Sequence, residues 1–332
     1  MPPLYRLLRR AQSEAYPLAT NKKMKYKKQH WVPESYLKAW CDPDAPEKYE
    51  PYVWMIPKDG SASKNKAPQN IFCESEMYTI HGSEGERDLT LEHGLSGLED
   101  FFARLRRKQL ASRIDLEPDE IFHLLLFVAA MGCRTAAQRN HLQSQWGEAL
   151  KMMDSLAEQM TKEGAERFIA TQPSYGSEES LSHEQVRSLA EKPMQNALFP
   201  MIIAETELLA QMHLAIIGTN SSSTFIASDS PCVWINPEIH KLPPFYRHVG
   251  LGQTKTEVTL PVSPEQIILI SWDEQKDGYL ELNNDQAVEE YNRRTGCLCD
   301  KYCISNNNIR KDFWFDPGIE PEDSWEKSQT KQ

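Results

Sequence analysis

The apolar residues of this chain change their period once, and that change limits the fold more than any other feature. From about Leu91 to Ile217 they recur every three or four positions; after Gly218 they recur every second one. The first spacing lines up side chains on one face of a helix, and the second lays them on one face of a strand. Short strand-like runs, YVWMIPKDG from Tyr52 and EMYTI from Glu76, also precede the helical stretch. A helical block with strands on either side predicts an α+β fold. Strands from both chain ends are expected to join one mainly antiparallel sheet packed on the central helices.

Local signals place the elements. His30 and Pro33 stand ahead of a short helical run, Glu34 to Trp40, with Tyr36, Leu37 and Trp40 on one face. Leu91, Leu95, Leu98, Phe102 and Leu105 make one amphipathic stripe. Pro118, inside EPDE, stands where helices begin. The helix it opens should run through the Met152–Met160 region, with a break near Gly132 or Gly147. Its stretch Ile121–Cys133 falls short of the roughly 18 apolar residues a membrane span needs, so it is expected to be core and no membrane is implied. Ser182 and Gln185 form a capping box. The run Met194 to Ile217 reads as one further helix, bent at Pro200. TFIAS, CVWIN, EVTLPV and QIILIS then read as strands, the stretch from Asn284 as helix and CISN as a closing strand. Residues 1–23 are expected to be a flexible extension, residues 24–315 a single α+β domain, and residues 316–332 a disordered acidic tail.

Composition excludes some functions. A net charge of −11 argues against a protein that coats nucleic acid with its whole surface, though not against a local basic patch. Seven scattered cysteines, an odd number, fit a reducing compartment, and the cytoplasm is expected. Cys297, Cys299 and Cys303 crowd into CLCDKYC, but a helical pattern splays Cys297 from Cys299, so packing thiols are favoured over a zinc site.

The chain has no Walker loop, GxGxxG, HExxH or GxSxG motif, so chemistry must be sought in isolated polar residues. His30 lies in QHWVP behind Lys22, Lys23, Lys25, Lys27 and Lys28. Nearby cations lower an imidazole's pKa, which leaves a neutral base. An alternative is a histidine bonded to backbone at a helix start. Asp229, in FIASDSPCVWI between two strands, is either an Asx turn or a carboxylate held at a cleft. Glu92 and Glu99 share a helix face, and Arg134 and Arg139 bound RTAAQR directly after the apolar run. An arginine so close to a core either pairs with a buried carboxylate or faces a cleft, and a salt-bridge network is favoured.

Two functions fit these residues. One is a nuclease-like hydrolase acting on a phosphodiester or other anionic substrate. In it His30 is the base, Glu92 and Asp229 orient it or hold a divalent cation such as Mg or Mn, and Arg134 stabilises developing charge. Lys27, Lys28 and Arg139 would gather the anion, nucleic acid included. The other is a non-catalytic binding or regulatory module in which the same polar residues are structural. Convergence of His30, Arg134 and Asp229 at the base of an open cleft would favour the enzyme; burial in mutual bonds would favour the module.

QHWVPESYLKAW, LEHGLSGLED, RTAAQR, FIASDSP and TLPVSP occur in that order. Together they resemble a widespread, largely bacterial family catalogued as a domain of unknown function, whose opening segment follows a [QK]H[YW]VPxxYLxxF pattern. The resemblance runs from about Lys25 to Asn306, with His30 and Pro33 on its opening motif. Trp31 stands where Tyr is commoner, and Trp40 where Phe is. The family implies an order of segments and no particular activity.

Overall fold

The computed structural model describes residues 28–42, 50–82, 84–159, 181–318, 324, 325 and 327. Lys27, the proposed extension at 1–23 and most of the proposed tail lie outside them.

Among these residues the α+β expectation holds, with seven α-helices and several mostly antiparallel sheets. Strands β1 (Lys28–His30) and β4 (Cys73–Ser75) pair as an antiparallel ribbon. Strands from both ends of the chain do meet, in a four-stranded sheet ordered β3 (Lys64–Lys66), β2 (Val53–Pro57), β13 (Tyr302–Ser305), β8 (Ala227–Ser228). The largest sheet is instead built from later residues alone. It runs β12 (Gly278–Glu281), β7 (His213–Gly218), β11 (Gln266–Ser271), β10 (Glu257–Ser263), β9 (Val233–Ile235). A fourth ribbon joins β5 (Ile80–His81) and β6 (Arg87–Asp88). The strands of the N-terminal part are two to five residues long and pair outside this sheet.

The five-stranded sheet is buried on both faces. Val258, Leu260, Ile268 and Ile270 point into the main core, while Ala215, Ile217, Ile267 and Leu269 pack with Val288 of α7 (Asp285–Leu298). On the main-core side lie α1 (Glu34–Leu37), α2 (Thr90–Leu105), α3 (Pro118–Cys133) and α6 (Pro193–Leu209). Pro118 opens α3 as expected. Glu117 and Glu120 close a capping box around Pro118 at the head of α3. Ser182 and Gln185 do the same for α5 (His183–Glu191). Tyr36, Leu37 and Trp40 are fully buried, and the Trp40 indole donates to the Phe225 carbonyl at 2.9 Å.

Two local expectations are corrected and one holds. The helix over Met194–Ile217 ends at Leu209, and His213–Gly218 is β7, flanked by β11 and β12. Its apolar run has no period that separates a buried strand from a buried helix. Most of EMYTI is a turn, with only Ile80 in a strand. The long helix does break near Gly132, at Arg134–Thr135, leaving α3 and α4 (Ala136–Gln159) bent by 61°. No single helix among the described residues is long and apolar enough to cross a membrane.

Candidate functional site

The break between α3 and α4 sets the site. Arg134 takes non-helical angles, φ −92° and ψ 4°, and the Thr135 hydroxyl then caps α4 by accepting from the Gln138 N–H at 3.1 Å. The Arg134 side chain is thereby turned off the helix axis into a cluster contributed by four segments. Its guanidinium pairs with Glu99 of α2 at 2.7 Å and donates to the His30 carbonyl of β1. The Tyr78 hydroxyl donates to the Arg134 carbonyl at 3.2 Å, and its ring lies 5.7 Å from the guanidinium carbon. Arg134 is only 2% exposed. Burial works to lower its pKa, but Glu99 and Tyr78 outweigh that and hold it above the ordinary arginine value.

The neighbours respond to the same burial. Desolvation pushes Glu92 up to about 7, with Glu99 adding to the rise and Arg134 opposing it. Burial lowers the pKa of His30 against the pull of Glu99, the Gln69 backbone and Glu34, with Arg134 adding to the lowering. Its Nε2 is buried without a hydrogen-bond partner. Tyr78 is pushed up to about 12 by burial. Beneath, Gln29 is fully buried; its amide donates to Thr79 and accepts from the Tyr78 N–H, pinning the 77–79 turn to β1.

Asp229 is bound elsewhere. Its carboxylate accepts from the backbone N–H groups of Asp300, Lys301 and Tyr302 at 2.9, 2.7 and 3.0 Å, closing the loop that leads into β13. Burial raises its pKa to about 6, while those three N–H groups hold it down. The structure thus brings His30, Glu92 and Arg134 together with Glu99, and gives Asp229 a separate set of partners. Among the described residues no three His, Cys, Asp or Glu side chains converge as metal ligands.

Between the two constellations lies a cleft of about 370 Å³. One wall is apolar: Trp31, Met55, Ile71, Phe72 and Tyr302. The Trp31 and Phe72 ring centres are 6.0 Å apart, and those of Phe72 and Tyr302 6.5 Å. The other wall is Ala136, Ala137, Arg139 and Asn140 at the start of α4, with Asp229, Ser230, Asp300 and Lys301. Arg139, expected to gather an anion, does stand in this cleft, where it pairs with Glu74 and bonds Asn140. Lys28 is exposed and donates to Asn70 at 3.2 Å.

The profile of a family of proteins of unknown function, DUF4238, matches residues 28–308. The chain belongs to this family. The matched span holds the buried cluster and every residue lining the cleft. No curated protein and no solved structure matches the chain.

Trp31, Phe72, Tyr302 and Lys301 were not singled out as site residues by sequence. Trp31 carried a signal, since it adjoins His30 in the opening motif. Phe72 and the Lys301–Tyr302 pair carried none, because only tertiary closure places them opposite α4.

Proposed function

We propose that this chain is a binding module whose ligand, an anion, seats in the cleft between Trp31, the start of α4 and residues 300–302. One observation carries the reading: the two groups a hydrolase would need open are closed. Arg134 is 2% exposed, with its guanidinium on Glu99 and the His30 carbonyl. Asp229 has both carboxylate oxygens on backbone N–H groups. Those bonds shape the cleft. Arg134 ties β1 and α2 to the head of α4, and Asp229 fixes the loop that presents Lys301 and Tyr302. A panel of small anions screened by thermal shift tests this. At least one should raise the melting temperature by a few degrees at saturation, and Trp31→Ala should abolish the rise. No shift with any anion would overturn it.

A second reading, the nuclease-like hydrolase, is favoured by a specific pair of groups. His30 holds a neutral imidazole with an unpartnered Nε2, and Glu92, near the same guanidinium, titrates at about 7. A base and a half-protonated acid beside one cation are the elements of proton transfer. Incubation with nucleic acids and Mg²⁺ or Mn²⁺ checks it: cleavage by wild type and none by His30→Ala would support it, and cleavage by neither would remove it.

A further inference from the structure

We propose that the ligand of the cleft is a nucleotide, with its base against the Trp31–Phe72–Tyr302 wall and its phosphate at the head of α4; this rests on the binding reading above. The cleft, about 370 Å³, falls within the range of small-molecule sites and is too small for a duplex. Its apolar wall consists largely of rings. Phe72 is tilted 42° from Trp31 and 38° from Tyr302, so the three make a curved surface rather than a sealed stack. Aromatic walls of this kind hold the face of any base.

The opposite wall supplies what a phosphate needs. α4 is 24 residues long, and its first-turn N–H groups at Ala136 and Ala137 have no backbone acceptor among the described residues, while the N–H of Gln138 is taken by Thr135. Such a helix start carries partial positive charge and free donors. Lys301 adds a cation to the same lining, beside Arg139, whose charge is shared with Glu74. The lining also holds three acids: Glu74 pairs with Arg139, Asp229 is held by three backbone N–H groups, and Asp300 is left. Two lining side chains also carry buried polar atoms without partners, Trp31 Nε1 and Ser230 Oγ. Buried polar groups in native proteins are nearly always bonded, and a ligand that draws either atom toward itself gains a bond the free protein lacks. The nucleotide could be free or the end of a single strand; both present one base beside one phosphate.

Tryptophan-fluorescence titration of the full chain tests the inference. The probes are AMP, GMP, CMP and UMP, a 5′-phosphorylated trinucleotide, adenosine, and inorganic phosphate. At least one mononucleotide or the trinucleotide should bind about tenfold or more tighter than phosphate, a ratio within reach of base stacking, and tighter than adenosine through its phosphate. Trp31→Ala should remove the preference over phosphate, Trp31→Phe should keep most of it, and the exposed Lys301→Met should weaken the nucleotide without weakening adenosine. Tighter binding of the trinucleotide would mark a strand end as the source, and the reverse a free nucleotide. Equal binding of nucleotide, adenosine and phosphate, or a nucleotide titration unchanged in Trp31→Ala, would overturn the proposal. If no nucleotide binds but another anion raises the melting temperature in a Trp31-dependent way, the nucleotide is wrong and the binding module stands. If no anion does, both fall.

Discussion

Replacing Arg134 with methionine would strand the Glu99 carboxylate and leave the His30 carbonyl without its donor. Breaking a buried pair from one side costs roughly 3–5 kcal/mol, and urea unfolding of Arg134→Met should show a loss of that size. A loss below about 1 kcal/mol, the level of an exposed pair, would mean Glu99 is already hydrated. Asp229→Asn keeps the side-chain shape but can turn an NH₂ donor toward three N–H donors, so it should cost about 1–3 kcal/mol by the same measurement. His30→Ala is milder, because Arg134 bonds the His30 carbonyl and not its ring. The kinds of partner were partly legible: an arginine right after an apolar run had two outcomes, and it took the buried carboxylate. Which partners were not legible. Asp229 closes N–H groups 71 to 73 positions along the chain, and nothing in FIASDSP encodes that distance.

Elements were legible where their signals are local. The stripe on α2 buries Leu95, Phe102 and Leu105, and the Ser182–Gln185 capping box forms, because each rests on residues three or four apart. β7 was missed since its identity depends on β11 and β12, which come later in the chain. The single expected sheet became several because register and strand length, which decide pairing, are not visible in periodicity. Two substitutions test the element assignments. Leu125, 3% exposed on α3, should cost roughly 2–5 kcal/mol as Leu125→Ala; a negligible change in the urea midpoint would put that face of α3 outside the core. Gly296 on α7 meets the Trp314 carbonyl oxygen at 2.4 Å from where a Cβ would stand. Gly296→Ala must therefore push the 312–315 turn away, and a lowered melting temperature should report it.

For the molecule as a whole, three carboxyls, one buried and two half-buried, set the response to pH. Burial raises Glu92 and Glu205 to about 7 and Asp229 to about 6. The folded chain keeps these protons to higher pH than the unfolded one, whose carboxyls titrate near about 4. Their contribution is complete below that value and is lost as pH rises through about 6 to 7. His30 acts the other way: with its pKa lowered, its contribution is full above about 6.5 and is lost as pH falls. Three raised carboxyls outweigh one lowered imidazole, so stability should decline from about pH 4 to 7. Glu205→Gln should flatten the decline, and an unchanged slope would place Glu205 in water.

The central claim is that the cleft holds a ligand while the buried cluster beside it acts as a brace, without chemistry at His30. The most direct measurement is to saturate the chain with a nucleotide that binds in a Trp31-dependent way, incubate it with Mg²⁺ or Mn²⁺, and analyse the nucleotide recovered. Recovery unchanged from both wild type and His30→Ala is the predicted result. Conversion by wild type that His30→Ala does not carry out would contradict the account and return the cluster to catalysis.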